Sequence, residues 1–126
     1  MMLNPQESYV LLDSRGTALR LPGGDQFWQL PKAALANCGE GWLISEYFFE
    51  QDWPTWEMHP HGDEFMYLLS GEVHVHVEGA DDVSIISLKG SGAVILPRGM
   101  WHTTKVVAPA RMLHITRGLD TQTRST

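Results

Sequence analysis

The chain has 126 residues, 43% of them hydrophobic and 19% charged, ordinary globular values that exclude a disordered chain and, at this length, a second domain. Fifteen acidic residues against nine basic ones give a net charge of −6, which argues against the basic stripe that a nucleic-acid binder needs. A single cysteine, Cys38, excludes an intramolecular disulfide framework and a multi-cysteine zinc site, and no apolar run is long enough to span a membrane.

The opening residues Met1-Met2-Leu3-Asn4-Pro5 have neither the basic region nor the apolar stretch of a secretory signal, so a cytoplasmic location is expected. Residues 1–40 read as a polar, partly helical amino-terminal arm packing on the rest. Within it, Tyr9 to Leu12 is a short strand candidate and Leu21-Pro22-Gly23-Gly24 a loop. Asp25 can cap a brief helical segment that Pro31 interrupts, and a further helical turn over Ala33 to Ala36 stops at Asn37-Cys38-Gly39.

From Gly41 the pattern is that of strands. Trp42 to Phe49 is aromatic and branched, and Phe65 to Leu69 forms another strand, closed by a turn at Ser70-Gly71. Glu72 to Glu78 alternates polar and apolar residues, the period of a strand with one buried and one wet face, so His74 and His76 fall on the wet face. In the next strand Val83 and Ile85 share one parity and Ile86 and Leu88 the other, which calls for a bulge or for burial on both sides. Ala93 to Leu96 reads as a short buried strand and Arg111 to Thr116 as the last strand. These strands make up residues 41–118, and 119–126 are a polar tail. Many short strands punctuated by Gly, Pro and Asp imply an all-β sandwich or small barrel.

The chemistry concentrates in His59-Pro60-His61-Gly62-Asp63-Glu64. Two histidines at i and i+2 of an extended chain point to one side, and a nearby carboxylate completes a mixed nitrogen and oxygen metal site. His102, in Pro97-Arg98-Gly99-Met100-Trp101-His102, is the natural further ligand.

These residues resemble the two motifs of the cupin superfamily: His-x-His, then Glu, then Gly seven positions on, matched by His59, His61, Glu64 and Gly71; and Pro-x-Gly-x-x-His, matched by Pro97, Gly99 and His102. The resemblance spans about residues 56–107. It implies a double-stranded β-helix, or jelly-roll, barrel. It also implies a divalent transition metal (Fe, Mn, Ni or Zn) held by His59, His61, Glu64 and His102, with Asp63 a substitute for Glu64. Only two residues separate His61 from Glu64, fewer than is usual in the family, so Glu64 faces the same ion only if a bulge or turn at Gly62 restores its parity.

Large apolar side chains beside the motif, Trp53, Trp56, Met58, Phe65 and Trp101, point to a pocket for a small organic molecule, which Trp56, Met58, Phe65 and Trp101 together with His114 are expected to line. Glu57, Tyr67 and His114 are proton-transfer groups if they face that cavity, and no catalytic residue is assigned. The expected function is a metal-binding small cupin acting on or binding a small organic molecule, with dioxygenase, isomerase and decarboxylase chemistries all open. The alternatives are a non-catalytic binding or sensing module and a structural homodimer. Small cupins of this kind are often dimers, so a homodimer is the expected assembly, with no nucleic-acid or membrane partner.

Overall fold

The computed structural model describes residues 2–126; Met1 lies outside them. In chain order the elements are β1 (Ser8–Leu12), β2 (Ala18–Pro22), α1 (Asp25–Trp28), α2 (Lys32–Cys38), β3 (Trp42–Phe49), β4 (Thr55–Met58), β5 (Glu64–Glu78), β6 (Val83–Lys89), β7 (Gly92–Leu96), β8 (His102–Thr116) and β9 (Gln122–Ser125). All strand pairing is antiparallel. Among the described residues no helix is long and apolar enough to cross a membrane.

Two long strands organise the molecule. The first half of β5, Glu64–Leu68, lies between β7 and the last residues of β8, which in turn pair with β3, and β1 and β2 follow beyond β3. The second half, Glu72–Glu78, lies between β6 and the first residues of β8, beside β4 and β9. The result is the jelly roll, two facing sheets that share β5 and β8. The crossing occurs at register shifts between Leu68 and Val73, where the sequence suggested that a strand would end. Gly71 makes it possible: its φ is 92°, and an added Cβ would stand 2.2 Å from the Pro109 carbonyl oxygen. The expected turn at Ser70-Gly71 is therefore a bulge inside one continuous strand.

Between the sheets pack Met66, Leu68, Val73, Val75, Leu96, Ala110 and Met112, all at most 2% exposed. A second cluster, around Tyr9, Leu11, Phe27 and Cys38, fastens the amino-terminal segment to Leu43 and Tyr47 of β3. Strand parity in β6 needs no bulge, because its register against β5 is regular. Ile86 and Leu88 pair with Val75 and Val73, whereas Val83 and Ile85 are simply exposed. Nor is β7 a buried strand: it pairs only with β5, and Ile95 is 65% exposed on this edge. The polar tail is ordered as β9, whose backbone pairs with β4. Arg124 lies over the Trp56 and Trp101 rings and forms an ion pair with Glu78.

Candidate metal centre and cavity

The side chains of Thr55, Glu57 and His59 alternate with those of Trp56 and Met58, and the first three line a cavity of about 800 Å³. His59 follows β4 directly. Its backbone carbonyl accepts a hydrogen bond from Gly99 N at 2.9 Å, which ties the Pro97–Gly99 loop to the start of the first motif. Bends at Pro60–Gly62 then turn the chain before Glu64 opens β5. Gly62 is pressed against Arg117, whose Cβ would lie 2.5 Å from an added side chain. This turn supplies the parity change that the short His61–Glu64 spacing demands, and it leaves His61 outside.

Glu64, 3% exposed, is the centre of the site. Its Oε1 is 3.2 Å from His102 Nε2, and its Oε2 is 3.6 Å from His59 Nε2 and 3.5 Å from His114 Nδ1. The Thr116 hydroxyl donates to Oε2 from the neighbouring strand. Burial opposes ionisation of Glu64, but the imidazoles of His102, His114 and His59 outweigh it and hold the carboxyl well below the usual range. For His59, burial disfavours the charged ring, yet the Glu64 and Glu57 carboxylates prevail and raise its pKa. Glu57 is pushed upward by burial and by the charge of Glu64, against the opposing pull of His102, His59 and His114.

The imidazoles are oriented from behind. The Thr121 hydroxyl donates to the Gly118 carbonyl at 2.8 Å, so its oxygen is left to accept from His59 Nδ1–H at 2.7 Å, which turns His59 Nε2 toward Glu64. His102 Nδ1 faces the Met100 carbonyl at 3.4 Å, and its Nε2 is directed at Glu64 Oε1. Among the described residues, His59 Nε2, His102 Nε2, His114 Nε2 and Glu64 Oε1 are buried without a hydrogen-bond partner. Imidazole nitrogens and carboxylate oxygens that converge in this way suit a cation, which would displace the ring protons that face Glu64. One ligand atom each from Glu57, His59 and His102 lies within 4.8 Å of the others, so the residues present fit a divalent metal ion.

The structure thus brings together His59, Glu64 and His102 of the expected ligand set and adds Glu57 and His114 beside them. His61 is not among them. It points to the surface, where its Nε2 pairs with Asp120 Oδ2 at 3.0 Å. Asp63 instead accepts a hydrogen bond from Arg98 N at 2.9 Å and braces the second-motif loop. His74 and His76 lie on the outer side of β5, opposite inward Val73, Val75 and Val77.

Of the residues the sequence placed at the pocket, His114 and Trp53 line the cavity. Trp56, Met58, Phe65 and Trp101 do not: Trp56 and Met58 have the opposite parity from Glu57 and His59, Phe65 alternates with inward Glu64 and Met66, and Trp101 packs against Arg124. Tyr67 also faces outward, 37% exposed. The aromatic wall is completed by Tyr47 and Phe49 of β3 beside Trp53. The Trp53 ring stacks on His114 at 5.8 Å, and Tyr47 meets His114 edge-on at 5.2 Å. Glu57 was legible as part of this group, since it shares the parity of His59 two residues on. Parity also groups Leu43, Ser45, Tyr47 and Phe49, but the sequence does not say which face of that strand is inside.

Residues 44–112 match the EutQ-like cupin domain. The chain belongs to this cupin family. No curated protein matches it in sequence. Among solved structures, the cupin is similar to hydroquinone 1,2-dioxygenase from Sphingomonas sp. TTNP3 with 4-hydroxybenzoate bound, at 21% identity and a TM-score of 0.51; the match covers 60% of this chain and 59% of that one. A double-stranded β-helix protein from Klebsiella pneumoniae matches at 17% identity and a TM-score of 0.55, over 68% of this chain and 76% of its own. Oxalate decarboxylase of Bacillus subtilis, described with Mn(II) centres, matches at 19% identity and a TM-score of 0.53, over 67% of this chain and 23% of its own. These likenesses establish the shared fold.

Proposed function

We propose that this cupin is a metal-dependent protein that binds and acts on a small organic molecule in the cavity between its sheets. His59, His102, Glu57 and Glu64 would hold a divalent transition-metal ion. The observation that carries this reading is the convergence of unpartnered imidazole nitrogens and carboxylate oxygens at the wall of that cavity. When bound, such an ion supplies Lewis acidity toward an oxygen of the bound molecule.

The chain's own groups divide the remaining work. Thr121 and the Met100 carbonyl fix the ring orientations of His59 and His102, and Thr116 holds Glu64. Tyr47, Phe49 and Trp53 exclude water from the polar wall. Burial and a hydrogen bond with Tyr9 raise the pKa of the Tyr47 hydroxyl, so it stays protonated and serves as a neutral wall. His114, held by Glu64 through Nδ1 and with Nε2 unpartnered, is the group suited to exchange a proton or hydrogen bond with a bound molecule.

The test is metal content after reconstitution with Mn(II), Fe(II), Ni(II) or Zn(II) and desalting. The wild type is expected to retain a single ion per chain, His59→Ala and His102→Ala to lose it, and His61→Ala and His76→Ala to keep it. Retention in both of the first two variants, or none in the wild type, sinks the assignment. With the metal kept, His114→Phe should lose turnover or ligand binding.

A further inference from the structure

The cavity extends beyond the cupin motif. Its wall includes Phe27, Trp28 and Leu35, which belong to α1 and α2 and lie outside the 44–112 span matched by the family. A run of ring contacts marks the separation between this wall and the polar cluster. His114 meets Tyr47 at 5.2 Å, Tyr47 meets Tyr9 at 5.8 Å, Tyr9 meets Phe27 at 5.3 Å and Phe27 meets Trp28 at 5.0 Å. The cavity therefore has a polar end, at His59, Glu64 and His114, and, several ring diameters away, a mostly apolar end at Phe27, Trp28 and Leu35, where Lys32 of α2 also lines it.

Trp28 sharpens the point. It lines the cavity and yet is 62% exposed, whereas its neighbour Phe27 is 3% exposed. An indole left open at the apolar end is surface that the body of a bound molecule would cover. The volume, about 800 Å³, is that of a site for a molecule larger than a two- or three-carbon acid.

Building on the metal-site reading, we propose that the cavity takes an elongated amphipathic molecule. Its oxygen-donor head sits at the His59 and Glu64 end and its alkyl or aryl body lies along Tyr47 and Phe49, while Phe27, Trp28 and Leu35 select the length of that body. The amino-terminal segment is then the specificity element of this cupin as well as a prop for β3.

The probes are linear hydroxamates, acetohydroxamate, butyrohydroxamate and octanohydroxamate, titrated calorimetrically into the full chain loaded with Zn(II). Burial of each added methylene should tighten binding by up to about fourfold until the apolar end is filled. Leu35→Trp, which narrows that end, should lower the ratio of octano- to acetohydroxamate affinity by at least about tenfold, worth roughly 1.4 kcal/mol. Trp28→Ala, at an exposed position that threatens the fold less, should lower the same ratio by a smaller factor. Equal affinities along the series, or a ratio unmoved in both variants, overturn the proposal while leaving the metal site standing. Failure of every hydroxamate, acetohydroxamate included, on protein that holds zinc overturns the head-group placement and the length selection together. Failure to hold zinc at all points to the metal-site reading and removes the basis of both.

Discussion

The two halves of β5 use the same alternation to opposite ends. Along Glu72–Glu78 the inward residues are Val73, Val75 and Val77 and the outward ones include His74 and His76. Along Glu64–Leu68 the inward set opens with Glu64, beside His114 and Thr116 of β8, and the outward residues are Phe65 and Tyr67. Outside this second region runs a row of apolar side chains in cross-strand register: Val10, Ile44, Ile115, Phe65 and Ile95. A strand's polar face is thus its wet face only where the interior is core. Where the interior is a site, polar groups go in, and the hydrogen bonds and charges around Glu64 offset the cost of burying it.

The sharpest way to break this comparison is to truncate one residue on each face of the same sheet. Met112, fully buried on the inner side, should cost about 2–5 kcal/mol of unfolding free energy as Met112→Ala, because the cavity left behind cannot collapse. Phe65→Ala, on the outer side, should cost only about 1 kcal/mol, since the ring is only partly removed from water. Ile95→Lys, at the exposed edge, should stay within about 0.5 kcal/mol. Urea unfolding at two protein concentrations reads all three. Equal costs on the two faces would break the comparison, and outer-face costs that grow with concentration would show a second copy covering that row.

What the sequence made legible follows the same division. Trp42 to Phe49 and Glu72 to Glu78 were readable as strands, and the positions of Glu64 and His102 followed from the motif, because spacing along one chain carries that information. Three features were hidden. The side on which Phe65 and Trp56 lie depends on what fills the interior, which parity alone leaves open. Whether His61 or Glu57 joins His59 depends on the bend at Pro60–Gly62, forced by the approach of Gly62 to Arg117, a contact between residues 55 positions apart. The order of Gln122 to Ser125 rests on backbone pairing with β4 and on Arg124 over two indoles, which a polar composition conceals.

The smallest effect expected concerns the other buried carboxylate of this sheet. Glu46, 4% exposed, lies on the outer face, where Arg111 donates to it from Nε at 2.9 Å and Nη2 at 3.2 Å and the Gln6 amide covers it. Glu64 looks onto imidazoles that can give up their protons to a cation, whereas Glu46 looks onto an arginine and an amide that cannot, so it reads as a fastening of the amino-terminal arm to β3 and β8. Burial works against its ionisation, but the bonds from Arg111 and Gln6 and the charge of Arg111 outweigh it and lower its pKa. A lowered folded-state value means that the contribution is present above the unfolded pKa, about 4.3, and fades as pH falls through the folded one. Glu46→Gln should therefore lower Tm modestly at pH 7, with the gap to wild type narrowing once the pH drops below about 4.3. Thermal melts across that range decide it: a gap independent of pH would mean that shape, rather than charge, holds the arm. The outer face would then differ from the inner one in packing alone.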